Sequence, residues 1–475
     1  MFPVFLSFLQ FFRMKAKKSS VSKHLFLTNQ NKCAKIRTVK TFVLFRGMRM
    51  LSTEAENYIT HKGINRNRIV LHSDLNNFFA SVECLKHKAL AVYPVAVCGS
   101  QKERHGIVLA KNNLAKKCGV KTGQVIWQAK QLCPELVVLD AHYEEYQYYS
   151  QKVRAVYATY SDRIEPFGMD EAWLEMTGIS GIRTLQDGVA AANRMRKEIF
   201  EKTGLTVSVG VSDNKTFAKL ASDYKKPDAV TVFGPDEYVP LISKLAVGEL
   251  MYAGRSTQKR LHSFCVETIG DVANRNSAFF RSILGKSGES LYRNACGYDF
   301  SPVQNVVYED PIKSLGNSAT TPRDMTSDED IKILLYALCD KVCTRLRKAS
   351  LKATVLQLHL REPDLTVTEK QCGILPTNLT GTLAEQALSL YHRSFPNGLT
   401  LRSIGVRTAG FVACDKEEQK SLFDSDKEET LDQTVDAIRS RYGLHVIRRG
   451  VLCTDKTLYS PLYSEKHLVA PFKSH

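Results

Sequence analysis

The spacing of apolar residues changes period several times along the chain, and each change predicts an element. The run Arg68-Ile69-Val70-Leu71 reads as a short buried strand where ordered sequence begins. Helical spacing follows to about Ala141, and again over residues 144–160 and 184–203. Between those two helices, Ile164–Thr177 (IEPFGMDEAWLEMT) alternates like a strand pair around a turn at Phe167-Gly168, and Thr206–Val211 (TVSVGV) reads as another strand. The order strand, insertion, helix, strand, strand, helix, strand is the split βαβ pattern of a ferredoxin-like sheet. Residues 234–300 look helical with short loops, and 301–311 are an extended connector with Pro302 and Pro311. Residues 312–414 alternate strands and helices, as in Ala353–Leu360 (ATVLQLHL). Beyond 414 the charges cluster (DKEEQKSLFDSDKEE) as in an exposed linker, followed by a helix at 431–441 and a tail. No internal repeat is visible.

Composition narrows the class. The 475 residues correspond to about three domains, and 43% hydrophobic with 24% charged is ordinary globular content, which excludes collagen, global disorder and a membrane bundle. A net charge of +17 favours a polyanionic partner, nucleic acid before anionic membrane. The charge is uneven: residues 1–68 hold 14 Lys/Arg against two acids, which leaves only +5 for 69–475. Residues 1–68 therefore read as a basic, disordered extension or as upstream sequence included by a wrong start, with internal candidate starts at Met48 and Met50. The apolar run Phe2–Phe12 is short of the about 20 residues a membrane-spanning helix needs and lacks a basic lead, so no membrane or secretory role is expected. The 12 cysteines include no CxxC pair and read as reduced thiols of a cytoplasmic protein.

Three acids stand out by position. Asp74 ends the first strand, and Asp170-Glu171 open the second strand of the predicted hairpin. In a split βαβ sheet those strands are neighbours, so the carboxylates can converge as hard oxygen ligands for Mg²⁺. Consecutive strand residues face opposite sides, so a twist or bulge must bring Asp170 and Glu171 together.

The surrounding blocks are more specific. Leu71–Glu83 reads LHSDLNNFFASVE, Pro166–Gly178 reads PFGMDEAWLEMTG, and Val209–Pro227 reads VGVSDNKTFAKLASDYKKP. In this order and spacing they resemble the Y-family (translesion) DNA polymerases, the bacterial ImpB/MucB/SamB group, over about residues 69–470. The resemblance implies an α+β multi-domain, right-hand polymerase: a ferredoxin-like palm (69–77 and 142–233), small fingers (78–141), a helix-hairpin-helix thumb (234–300), a linker (301–311), an α/β little finger (312–414) and a tail (415–475). It implies that Asp74, Asp170 and Glu171, with the Leu75 backbone carbonyl, bind two Mg²⁺ ions, with Mn²⁺ able to replace them. It places Phe79 as the steric gate against a 2′-hydroxyl, Phe78 beside the incoming nucleotide, and Lys226 on its triphosphate. Where many relatives carry Tyr and Arg in the fingers, Leu109–Gly123 (LAKNNLAKKCGVKTG) has Asn113 and Lys116. A Lys meets phosphate as a point charge, without the bidentate fork of Arg.

Two further segments fit that reading. Leu250–Ala273 resembles a helix-hairpin-helix whose backbone N–H groups bind DNA phosphates, with Thr268 opening its second helix. Gln419–Phe423 (QKSLF) matches the peptide pattern bound by bacterial sliding clamps, with Gln419, Ser421, Leu422 and Phe423 as contacts. The resulting expectation is an error-prone, template-directed DNA polymerase without proofreading, a cytoplasmic bacterial monomer whose partners are primer–template DNA, dNTP and the clamp. The rivals are a nucleotidyl cyclase on a related palm and an inactive DNA-binding scaffold.

Overall fold

The computed structural model describes residues 68–100, 106–304, 312–414, 426–444, 446–455 and 457–458. The basic extension and the QKSLF peptide lie outside the described residues.

The centre of the first region is a five-stranded sheet of β1 (Val70–Leu75), β5 (Ile164–Pro166), β6 (Glu171–Glu175), β7 (Val207–Ser212) and β8 (Val230–Phe233), ordered β5-β6-β1-β7-β8. The alternation in the sequence sets its two faces. Leu71 pairs with Leu174 and Val211, and Leu75 with Val207. These residues share one face and one core with α4 (Tyr143–Tyr157) and α5 (Leu185–Thr203), through Val153, Tyr157, Ala191, Met195 and Ile199. The opposite face carries His72 between Trp173 and Gly210, and Asp74 between Glu171 and Ser208. It is covered by α6 (Lys215–Tyr224), whose N-cap Asn214 accepts from Phe217 N.

Gly210 sets how closely α6 approaches. A Cβ there would lie 1.8 Å from the Ala218 carbonyl oxygen, inside any allowed contact. The bare backbone lets the helix settle on the strand beside His72.

The insertion between β1 and α4 corrects the sequence reading, which took it as helical throughout. It holds α1 (Phe78–Lys86), α2 (Asn113–Lys117) and α3 (Ile126–Leu132), but also a three-stranded sheet, β3-β2-β4, from β2 (Val95–Cys98), β3 (Val108–Lys111) and β4 (Val137–Asp140). Each of these strands has only four residues, too few for period to separate a buried strand from a helical turn.

Residues 233–299 form a separate helical unit. Its helices are α7 (Pro235–Tyr238), α8 (Arg255–His262), α9 (Ile269–Ala273), α10 (Ser277–Leu284) and α11 (Lys286–Ala295). The expected hairpin is α8 and α9. Thr268 opens α9 with a capping box: its side chain accepts from Asp271 N, and the Asp271 carboxylate accepts from Thr268 N at 3.0 Å.

The C-terminal region is a four-stranded antiparallel sheet, β11-β10-β12-β9, made by β9 (Ser314–Met325), β10 (Leu351–Arg361), β11 (Val367–Thr377) and β12 (Leu401–Ala413), with α12 (Asp328–Lys348) and α13 (Thr380–Ser394) packed on it. Here too the structure corrects an expectation. The tail beyond 425 is not separate: α14 (Asp426–Tyr442) is tied to α12 by buried ion pairs, Arg347 with Asp432 at 3.0 Å and Asp436 at 2.6 Å, and Arg439 with Asp340 at 2.7 Å. Leu452 and Leu458 then complete the hydrophobic core of this region. The anchoring residues are charged, so the segment reads as a solvated run when its partners on α12 are unknown.

Gly210→Ala should destabilise the protein by about 3 kcal/mol through overpacking against α6, measured as loss of thermal midpoint; an unchanged midpoint would refute the close approach.

Candidate active site

Antiparallel pairing brings the acids together. Asp74 on β1 is the direct partner of Glu171 on β6, so both side chains leave the same face of the sheet. Asp170 precedes β6, and its carbonyl accepts a hydrogen bond from Leu75 N at 2.9 Å. Its carboxyl lies close enough to those of Asp74 and Glu171 to be raised by their charges. The turn that carries Asp170 is clamped by α4: Arg154 donates to the Gly168 carbonyl at 2.8 Å, and the Ser150 hydroxyl donates to the Met169 carbonyl. From the same helix the Tyr157 hydroxyl donates to Ser73 Oγ at 2.9 Å, locking α4 to the strand behind Asp74.

The electrostatics follow from burial and like charge. The Asp170 carboxyl is pushed up to about 7, chiefly by burial and then by the charges of Asp74 and Glu171. Asp74 is also raised, by burial first, against the opposing pull of Lys226. Glu171 goes the other way. Burial acts to raise it, but His72 and Lys219 overcome that and hold it at about 2.

Three cationic or polar neighbours balance the acids. Lys226 Nζ sits 2.8 Å from Asp74 Oδ2 and 2.6 Å from Asp223 Oδ1. Lys219 pairs with Glu171, and the buried His72 Nε2 lies 3.2 Å from Glu171 Oε2. Among the described residues, no three His, Cys, Asp or Glu side chains are gathered closely enough to enclose a metal ion; the acids are arranged around lysines instead.

The aromatic residues divide. Adjacent positions on a helix point about 100° apart, so Phe78 and Phe79 have different surroundings. Phe78, the other expected nucleotide neighbour, is 3% exposed and packs in the core. Phe79 is half-buried and stacks on Tyr146, with ring centroids 4.2 Å apart and planes 10° apart. Tyr146 is fixed in turn by donating to Glu83 Oε1 at 2.6 Å, an acceptor shared with His142. Asn113 is exposed at the start of α2, where its Oδ1 accepts from Asn77 Nδ2 at 3.0 Å, one turn from the end of β1. Lys116 is exposed on the same helix and helps to depress the Lys111 ammonium, after burial.

Lys219, His72, Tyr146 and the α4 clamp were not singled out from the sequence. His72 had a signal: it lies two residues before Asp74 on a strand and so shares its face. Lys219 had none, because its partner comes from a strand 48 residues away.

Comparison with known proteins identifies the family. The impB/mucB/samB family profile matches residues 73–223, and its C-terminal domain matches residues 312–422. A DNA polymerase IV of Acetivibrio thermocellus is 47% identical over 82% of this chain and 99% of its own length. A DNA polymerase IV of Alkaliphilus oremlandii is 34% identical over 81% of this chain and 99% of its own. DNA polymerase IV 1 of Bacillus subtilis is 32% identical over 81% and 93%. Among solved structures, a Y-family DNA polymerase chimera superposes with a TM-score of 0.65 at 24% identity, covering 73% of this chain and 99% of that one. The fold is thus that of a multi-domain α+β polymerase. The chain belongs to the impB/mucB/samB family of Y-family DNA polymerases.

The buried carboxyl of Asp170 makes a pH-dependent prediction. Its folded value lies above its unfolded value, so it lowers stability above about pH 4 and increasingly so up to about 7. In metal-free protein, Asp170→Asn should raise the thermal midpoint most at pH 8, with the gain shrinking as pH falls from 7 toward 4. A gain independent of pH would contradict the assignment.

Proposed function

We propose that this chain is a template-directed DNA polymerase of the translesion kind, and that Asp74, Asp170 and Glu171, with the Leu75 carbonyl, are its metal ligands. The observation that carries the reading is the register pairing of Asp74 with Glu171 beside Asp170, whose carboxyl is raised by burial first and then by the charges of the other two. Polymerases of this family are metal-dependent. The donor set suits a hard divalent cation: three carboxylates, excess negative charge that an ion would relieve, and only oxygen donors among the proposed ligands. Two Mg²⁺ ions are the proposed occupants, with Mn²⁺ as substitute. When bound, such ions supply Lewis acidity at phosphate and activate the attacking hydroxyl.

The chain's own residues do the rest. In the proposed reaction the primer 3′-hydroxyl attacks the α-phosphorus of a dNTP and pyrophosphate leaves. Lys226 and Lys219, which balance the acids here, are placed to exchange their carboxylates for phosphate, and Lys226 is the proposed triphosphate contact. Lys116 adds a cation from α2, and Asn113 a polar contact beside Asn77. Phe79, braced from behind by Tyr146, is the proposed barrier to a 2′-hydroxyl.

In this reading the five-stranded sheet is the palm, the insertion 78–141 the fingers, the helical unit the thumb and the four-stranded region the little finger. α14 belongs with the last. The thumb hairpin holds DNA by its phosphates, without reading sequence. Gln419–Phe423 is the proposed sliding-clamp peptide, supported by its pattern and by its place after β12. Among the described residues no helix is long and apolar enough to cross a membrane. A monomer working at the bacterial nucleoid fits these partners.

Wild type should extend a primer on undamaged and abasic templates. Asp170→Ala with Glu171→Ala should lower extension by about 1,000-fold or more, ~4 kcal/mol of barrier; equal extension would remove the proposed metal site. Phe79→Ala should reduce the preference for dNTP over rNTP by about tenfold or more in single-nucleotide insertion, and unchanged selectivity would take Phe79 out of the gate. Leu422→Ala with Phe423→Ala should weaken binding to the clamp ring by about 30-fold or more in a surface-binding assay, while polymerase activity without clamp stays the same; full affinity would refute the peptide assignment.

A further inference from the structure

Behind Glu171 stands a buried polar chain on which the proposed reaction makes no direct demand. His72 has no exposed surface. Its ring packs against Trp173, with centroids 5.0 Å apart, and lies across the sheet from Gly210, where α6 comes closest. Its Nδ1 is 2.8 Å from Ser222 Oγ on α6, and that hydroxyl is also 2.7 Å from the Lys219 carbonyl. Its Nε2 is buried with no aligned hydrogen-bond partner, although Glu171 Oε2 lies only 3.2 Å away.

One hydroxyl proton decides the state of the ring. If Ser222 donates to the Lys219 carbonyl, Nδ1 must carry the ring proton, and the Nε2 lone pair then faces a carboxylate oxygen. Two acceptors at 3.2 Å repel. If Ser222 donates to Nδ1 instead, the proton sits on Nε2 and points toward Glu171. The Lys219 carbonyl loses little, because it lies within a helix and accepts from the backbone four residues on. The arrangement with the proton on Nε2 is therefore the one in which Ser222, the ring and Glu171 match donor to acceptor.

Resting on the metal-site reading above, we propose that His72 is a positioning residue. Set by Ser222, it donates through Nε2 to Glu171 Oε2 and so turns the other oxygen, Oε1, toward the cation. The contacts on Glu171 support this division of labour. Lys219 also binds Oε2, and among the described residues no protein hydrogen bond reaches Oε1. Donors behind a ligating carboxylate fix its orientation, and losing one typically weakens metal binding about 10–100-fold.

The test is Mn²⁺ binding to the full chain, followed by titration calorimetry and by electron paramagnetic resonance of free Mn²⁺, without DNA or nucleotide. His72→Phe keeps the ring volume but has no donor, and should bind Mn²⁺ about tenfold or more weakly with a normal thermal midpoint. His72→Gln places an amide N–H near the position of Nε2 and should recover most of the affinity. Ser222→Ala, which frees the tautomer while keeping the ring, should weaken binding by less than His72→Phe. Affinity in His72→Phe equal to wild type, or no recovery in His72→Gln relative to Phe, overturns the inference while leaving the metal site intact. Should His72→Phe fold poorly, the difference between His72→Gln and Ser222→Ala decides: a Ser222→Ala protein that binds as tightly as wild type overturns it. A wild type that binds no Mn²⁺ defeats the metal-site reading itself.

Discussion

Buried like charge is the constraint around which this structure is organised. Burial first, and then the charges of Asp74 and Glu171, hold the Asp170 carboxyl up at about 7. The fold tolerates this only because the surrounding parts are rigid. The β1–β6 pairing sets Asp74 against Glu171, α4 clamps the Asp170 turn, and α6 and the residues just after it bring Lys219 and Lys226 within reach. α6 in turn depends on Gly210, the point where a side chain would push the helix off the sheet. In the proposed function a cation relieves this buried like charge, and the lysines that balance it turn to phosphate.

The aromatic side of the site shows the same economy. Phe79 has no polar group with which to fix its orientation, so its position is set by stacking on Tyr146, which is anchored by a buried carboxylate, Glu83. Two hydrogen-bonding partners, Tyr146 and His142, satisfy the buried Glu83 carboxylate. Rigidity at the proposed gate thus comes from hydrogen bonds one layer behind it.

Much of this was legible in the sequence. The alternating strands 164–177 and 206–211, with one helix before them and one between, carry the split βαβ order of the five-stranded sheet, and Asp170 and Glu171 fall where that order sets them beside Asp74. The three-stranded sheet in the insertion was not legible, because strands of four residues leave no period to read. Nor was the docking of α14, whose attachment rests on Arg347 and Arg439 reaching acids on another helix. Charge in a sequence signals solvent until its partner is known. Phe78 and Phe79 look alike in the sequence, and only the turn of α1 separates a core ring from a half-exposed one. Lys219, which tunes Glu171, becomes visible only when β6 and α6 meet.

The central claim is that the repulsion among these three carboxylates serves a metal-dependent transfer of nucleotides. Anomalous diffraction at the manganese edge, from crystals grown with Mn²⁺, primer–template DNA and a non-hydrolysable dNTP analogue, tests it most directly. The account predicts anomalous density among Asp74, Asp170 and Glu171, with Lys226 turned from Asp74 to the triphosphate. Density elsewhere on the chain, or Lys226 still on Asp74 with the analogue bound, would contradict it.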